Sequence, residues 1–292
     1  MLARMITTNL RAEGELRLRY EDISQEGRIR LEALTSSVGV VWRVIGKEPS
    51  AREIYKQGII AILVRFDIEG TSGPFAVERS LCVTGSSDLG HVVDAAGAVS
   101  HLLLDISTEL HGPAGRTNLP PPDNAGTTVL AGRVHARHVF TRPFGPPEAR
   151  KVLSIGPESW VPPARRDWTA ASALLELPPG ARWLSDAFTL DPVPLVLGSV
   201  HTDSNQHVNS LVYPRFFEDA VLRALHEAGR PRTVHAQRTS VGYRKPAFAG
   251  DVLRLAIRLF DAPAGLGAVG AFADAGDRDL AHARVCVRTF LG

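Results

Sequence analysis

In the stretch HTDSNQHVNSLVYPRFFEDA (residues 201–220), Asp203, Asn205 and His207 stand at every second position, directly ahead of a segment that reads as a helix. In an extended loop alternate side chains point the same way, so the spacing predicts that these three polar groups converge. A helix N-terminus adds unpaired backbone N–H groups and a positive partial charge, which suit a carbonyl oxygen becoming an oxyanion. A carboxylate beside such a carbonyl attacks it or deprotonates a water, while an amide and an imidazole orient and polarise. That chemistry is acyl hydrolysis. The same residue types also make an ordinary helix cap, and Asn209 or Ser210 could fill that role with no catalysis at all. A lone histidine such as His207 is more often structural than catalytic. Pro214 fits only the first turn of a helix, so regular helix starts no earlier than about Ser210, and the loop before it is long enough to hold the trio.

These residues need a scaffold. EGELRLRY, residues 13–20, alternates apolar and polar side chains as a half-buried strand does. RIRLEALTSSVGVVWRVI follows, with Ile29, Leu31, Leu34, Val38, Val41 and Val44 at mostly helical spacing, and predicts a long buried helix that also carries Trp42. Next come the β-rich runs IIAILVRFDI, PFAVERSLCV, GAVSHLLLDIS and, past the breaker-rich GPAGRTNLPPPDNAG, TTVLAGRVHARHVF. The same order then recurs. VPLVLGSV is a strand, the loop leads into a helix that Gly229 and Pro231 stop, and HAQRTSVGYR, DVLRLAIRLF, GLGAVGAFAD and LAHARVCVRTF are strands. LAGRVHARHVF from Leu130 and LAHARVCVRTF from Leu280 agree at only three of eleven positions, so the order of elements carries the repeat.

Residues 144–185 hold seven of the twenty prolines and read as a Pro/Gly/Arg-rich linker with room for one short helix. The expected organisation is a first copy at 1–143, the linker, and a second copy at 186–292. Each copy is α+β, a long helix packed on a curved antiparallel sheet. Two copies side by side pair edges and cover one another, which makes a pseudo-dimer in one chain.

Composition removes several functional classes. The net charge of +2 comes without any run of five basic residues, which leaves no footprint for nucleic acid. No stretch approaches the roughly 20 apolar residues of a membrane span, and the N-terminus lacks the apolar core of a secretory signal, so the expected compartment is the cytoplasm. Cys82 and Cys286 each sit in an apolar, strand-like run and are expected to be buried free thiols. His135 and His138, three apart on a strand, face opposite sides and make no shared metal site. With no Gly-rich phosphate loop, Gly-x-Ser-x-Gly elbow or Cys/His pair, cofactor-free chemistry is the consistent reading.

DSNQHVN, followed by an aromatic residue and FFEDA, resembles the hot-dog thioesterases, and Asp203-x-Asn205-x-His207 with Val208 and Asn209 is similar to the catalytic motif of plant and bacterial acyl-ACP thioesterases (ACP, acyl carrier protein). RYEDISQEGRIRLEALTSSV resembles that family's first-repeat opening, and SVGYRKPAFAGDVLRL resembles its strand pair after the helix. The resemblance implies a double hot-dog fold and hydrolysis of acyl thioesters carried on ACP or coenzyme A. Carried over residue by residue, it makes Asp203 the nucleophile or base, Asn205 the fixing and polarising amide, and His207 the group that orients water or carbonyl. Val208, Asn209 and Tyr213 are then expected at the substrate. One departure stands out: Gly242 occupies the position before Tyr243 and Arg244 where the family places a glutamate. Glu218 in FFEDA is read as structural.

Aligning Leu16 and Leu18 with Leu195 and Leu197 sets Ser24, Glu26 and Arg28 of the first copy opposite Asp203, Asn205 and His207. None of the three catalytic types survives, and Glu26 with Arg28 reads as a surface ion pair. The first copy is expected to supply an acyl pocket and the pairing surface. The functional expectation is a thioester hydrolase that releases a free acid from acyl-ACP or acyl-CoA, with a homodimer left open. A weakly active or non-catalytic acyl-thioester-binding protein is the rival, motivated by Gly242 and the degenerate copy. A hydroxyacyl-ACP dehydratase ranks third, because its His and acid spacing is not found.

Overall fold

Alternation in NLRAEGELR builds the first strand, β1 (Asn9–Arg17), four residues earlier than the sequence pattern suggests, because Asn9 to Arg17 pair in unbroken register with Asp88 to Ser80. The computed structural model describes residues 9–292 apart from 25, 26, 72, 119, 157, 158, 231–233, 264 and 278. The chain divides into two compact units, Met1–Trp168 and Thr169–Gly292, so the boundary falls inside the Pro-rich linker.

In the first unit, β1 is followed by a helical segment and then by β2 (Ile60–Gly70), β3 (Ser80–Val93), β4 (Val99–Pro113) and β5 (Thr128–Thr141). They pair antiparallel in the order β1-β3-β4-β5-β2. The expected single long helix is broken into α1 (Leu31–Leu34), a 3-10 turn (Thr35–Ser37) and α2 (Val38–Ile45). The hydroxyls explain the break. Thr35 Oγ1 donates back to Glu32 O at 2.6 Å in competition with regular helical bonding, and Ser37 Oγ, 2.6 Å from Thr108 Oγ1 on β4, ties the turn to the sheet. Leu34 and Val41 still reach zero exposure against the sheet. Burial of this kind is worth about 1.5–3 kcal/mol per large aliphatic side chain. A further helix, α3 (Pro49–Lys56), has Pro at its first position and a single strongly apolar anchor, the buried Ile54, too weak a period to read from sequence. A mostly apolar cavity of about 260 Å³ in this unit is lined by Trp42, Ile45, Ile54, Leu89, Leu104 and Phe140, among others.

The second unit repeats the plan. Short strands β6 (Arg182–Trp183), β7 (Thr189–Leu190) and β8 (Leu195–Val196) pair in succession along β10 (Val252–Ala262). That strand continues antiparallel to β11 (Gly265–Asp274), β12 (Val285–Leu291) and β9 (Ala236–Tyr243). The order β8-β10-β11-β12-β9 is the order β1-β3-β4-β5-β2 again, with the helix α4 (Val212–Glu227) between first and second strand in the chain. The repeated order of elements in the sequence is therefore a repeat in space. Tyr213, Phe217, Ala220, Val221 and Leu225 form the buried face of α4, the three-to-four spacing of an amphipathic helix.

Leu280, the start of the fourth expected strand, lies instead in a 3-10 turn (Leu280–His282), and β12 begins only at Val285. Cys286 is buried, and burial pushes its thiol up to about 11, whereas Cys82 is exposed on β3 between the buried Leu81 and Val83. The expectation of two buried thiols thus fails at Cys82, because an alternating strand turns every second residue outward. Among the described residues no helix is long and apolar enough to cross a membrane.

His135 and His138 occupy opposite faces of β5. His135 stands 3.5 Å from Asp105, while His138 is buried with its ring 5.2 Å from Trp42 in an edge contact. Burial holds the His138 imidazole down at about 4. The unfolded chain takes up this proton near pH 6.5 and the folded chain does not, so stability is intact above pH 6.5 and falls as pH drops toward 4, by about 3 kcal/mol in all. Urea midpoints measured across this window should show the loss in the parent and a flatter profile in His138→Gln. Equal slopes would contradict it.

Candidate active site

Asp203 to His207 form a closed turn rather than an extended loop. Thr202 and Val208 bridge antiparallel, Asp203 N donates to His207 O at 2.9 Å, and Gln206 N donates to Asp203 O at 3.0 Å. Asp203 Oδ1 accepts from Asn205 N at 2.8 Å, the Asx turn that short acidic side chains favour. The corner is completed by Gln206 at a φ of 63°, a left-handed conformation that costs a non-glycine residue roughly 1–2 kcal/mol. The alternation argument for convergence therefore does not hold. Asp203, Asn205 and His207 share a five-residue turn on which all three are exposed to solvent.

The segment after β9 supports this turn from one side. Val208 is buried and its N–H donates to Ala247 O at 2.8 Å, while the His207 ring meets Phe248 at 5.1 Å in an edge contact. Arg284, immediately before β12, holds that segment: Nη1 donates to Pro246 O at 2.8 Å and to Asp251 Oδ2 at 2.7 Å, and Nη2 reaches Asp274 at 2.6 Å. Phe248 N donates to the same Asp251 oxygen at 3.0 Å. Sequence reasoning assigned no role to Arg284, Asp251 or Phe248. The only signal was Arg284 beside the apolar run VCV, a charge that must be paired where it is buried.

On the helix side Asn209 makes an Asx turn just ahead of α4: its Oδ1 accepts from Leu211 N at 2.9 Å and its carbonyl accepts from Val212 N at 3.0 Å, while Leu211, the residue that caps α4, offers no side-chain cap. Pro214 occupies the third position of α4, in the first turn as expected. Tyr213 is buried between Tyr243 and Phe272, at 6.1 Å and 5.3 Å, and Tyr243 Oη donates to Ser210 O at 3.0 Å. Burial pushes the Tyr213 phenol up to about 12 and raises that of Tyr243 as well, so both stay neutral near pH 7 and neither serves as a base. Val208, Asn209 and Tyr213 thus hold the turn and the helix start in place.

The first unit contains the same turn. Ile23 and Ile29 bridge as Thr202 and Val208 do, Ser24 N donates to Arg28 O at 2.7 Å, and Gly27 N donates to Ser24 O at 3.3 Å. Arg30 N donates to Asp22 O at 2.8 Å, matching Asn209 N to His201 O at 2.8 Å. The left-handed corner is Gly27 at φ 78° in one unit and Gln206 in the other. Ser24 therefore corresponds to Asp203 and Arg28 to His207. Glu26, set opposite Asn205, lies outside the described residues, and so does its expected ion pair with Arg28.

Gly242 points away from all of this. Its neighbour Tyr243 faces α4, so strand alternation turns position 242 to the opposite face, where a Cβ would come within 2.7 Å of Ala171 Cβ and 2.9 Å of Ala171 Cα. The 3-10 turn Ala171–Leu175, from the linker, packs on that face. A glutamate at 242 in this chain would meet that turn and not the Asp203 turn.

No family model matches the sequence, and no curated protein matches it. Solved structures do match in fold. A protein assigned as an oleoyl thioesterase from Lactobacillus plantarum superposes with a TM-score of 0.62 at 12% identity, covering 100% of this chain and 98% of its own. An acyl-ACP thioesterase from Bacteroides thetaiotaomicron gives 0.58 at 13% identity, over 97% of this chain and 98% of its own. The 12:0-ACP thioesterase from Umbellularia californica gives 0.57 at 12%, over 98% of each chain. The chain is a double hot-dog protein, with the α+β fold of these acyl-ACP and oleoyl thioesterases.

Proposed function

We propose that the chain hydrolyses an acyl thioester at the 203–207 turn and releases a free carboxylic acid, with ACP preferred over coenzyme A as the carrier. The observation that carries this reading is the turn itself: one carboxylate, one amide and one imidazole, all exposed, on a segment pinned at both ends by hydrogen bonds. Asp203 takes the proton of the attacking water. The new C–O bond forms at the thioester carbonyl, the C–S bond breaks, and the thiolate leaves and is protonated. Asn209 takes the amides of Leu211 and Val212, so the oxyanion draws on the positive end of the helix and on the Asn205 amide. His207, seated against Phe248, orients the water. Water is the only co-reactant, so no cofactor enters the reaction.

The apolar cavity of the first unit has a lining suited to an alkyl chain. Gly242, which motivated the non-catalytic alternative, gives that reading no support, since it faces Ala171. The carrier preference leans on two of the fold neighbours, which are named for ACP substrates, and on twenty-nine arginines against four lysines, a surplus suited to an acidic carrier protein. Exposed charge pairs are screened over about 8–10 Å at physiological salt. Rates followed by free-thiol release should therefore fall more steeply with added salt for acyl-ACP than for acyl-CoA. An equal response of the two substrates would remove the case for carrier docking.

A further inference from the structure

The cavity of about 260 Å³ in the first unit is apolar over most of its wall, yet two serines also line it. Ser87 lies on β3, in register with Leu10 and Ile106 on the flanking strands, and Ser50 is the second residue of α3. Both are buried, at 4% and 7% exposure. Among the described residues neither hydroxyl has a hydrogen-bond partner, whereas the other buried serine and threonines are all paired: Thr35 with Glu32 O, Ser37 with Thr108, and Thr239 with Thr289. The two unpaired hydroxyls thus belong to the two buried residues of this kind that line the cavity. They are not sealed off either. The described side-chain atoms that lack both a partner and solvent contact are Arg116 Nε and Arg284 Nε, so the hydroxyls of Ser50 and Ser87 keep open surface, and it lies on the cavity.

A hydroxyl set in an apolar wall without a partner is costly until a polar atom meets it. A dry cavity of about 150 Å³ holds benzene, so this one has room for about ten non-hydrogen atoms. Plain hydrocarbon would satisfy Trp42, Ile45, Ile54 and Phe140 but leave both hydroxyls unpaired. Glu48, half-buried, lines the cavity as well, and a carboxylate there disfavours an anionic guest. We propose that this cavity selects a medium-length aliphatic chain that carries a neutral oxygen, an alcohol or a ketone, with Ser87 hydrogen-bonded to that oxygen. Ser87 is then a specificity-determining residue, the one that separates an oxygenated chain from a plain one.

Calorimetric titration of the intact chain with octan-1-ol, and separately with octanoate at matched ionic strength, tests this. The expected result is saturable octan-1-ol binding that weakens about three- to tenfold in Ser87→Ala, the usual effect of one lost hydrogen bond, with octanoate at least about tenfold weaker than the alcohol in the parent. Binding is read with no thioester present, so a chain that binds octan-1-ol through Ser87 but hydrolyses nothing would sink only the proposed activity. Octan-1-ol binding that is absent in the parent, unchanged in Ser87→Ala or matched by octanoate would overturn the site. If Ser87→Ala shows no cooperative thermal transition, Ser87→Cys decides, because a thiol keeps the shape and is only a weak donor and acceptor. Weaker octan-1-ol binding in that variant supports the site, and unchanged binding overturns it.

Discussion

An Asp203→Asn chain should turn over acyl thioester about 10²- to 10⁴-fold more slowly than the parent, the usual consequence of losing a general base. The substitution is chosen to leave the turn alone. Asparagine keeps the Oδ1 that accepts from Asn205 N, and the backbone bonds from Asp203 N and to Asp203 O do not depend on the side chain. Unfolding free energy should therefore move by no more than about 0.5 kcal/mol, as for exposed sites in general. Steady-state rates on one acyl thioester, paired with a urea melt of the same sample, separate the two quantities. A folded variant with parental turnover would remove Asp203 from the mechanism.

The largest expected effect on stability lies elsewhere in the same unit. Asp191, in the segment between β7 and β8, is 4% exposed, and Arg223 of α4 grips it with Nε at 2.9 Å and Nη2 at 2.5 Å. Asp191 N also donates to Leu255 O at 2.8 Å, so the carboxylate cannot swing out to water without breaking the sheet edge. Arg223→Ala strands that charge in the interior and should cost about 3 kcal/mol, the lower end for a broken buried pair because Arg223 itself is partly exposed. Replacing both partners by leucine should recover most of the loss, since a buried pair is often no better than apolar residues of similar volume. Urea midpoints at pH 7 for the single and double variants give the comparison. A single variant within 0.5 kcal/mol of the parent, on the scale of about 0.5 kcal/mol for ordinary surface changes, would contradict it.

Hydrophobic periodicity reported where elements lie and in what order, because burial on one face of a strand or helix is what it measures. The strand, helix, four-strand order appears in both units, and the register that sets Ser24 against Asp203 and Arg28 against His207 is reproduced bond for bond. Periodicity is silent on backbone hydrogen bonds made by polar loops. The 203–207 segment could not be told from an extended loop, because its closure rests on an Asx turn and on Gln206 adopting a left-handed conformation that its residue type does not announce. The break in the first helix was likewise hidden in Thr35 and Ser37, whose effect depends on Glu32 O and on Thr108 in a distant strand.

Gly242 marks a different limit. Alternation from Tyr243 was enough to place it on the far face of β9, but that the far face is covered by Ala171 follows only from where the linker runs. The LA pair shared by Leu130 and Leu280 shows why identities were a poor guide, since one pair lies in a strand and the other in a 3-10 turn.

Mass spectrometry of the products formed from a panel of acyl-ACP and acyl-CoA substrates tests the central claim most directly. The account predicts free carboxylic acid and carrier thiol in equal amounts, with acid release lost in Asp203→Asn. Tight substrate binding without acid release, or an enoyl product still attached to its carrier, would contradict it.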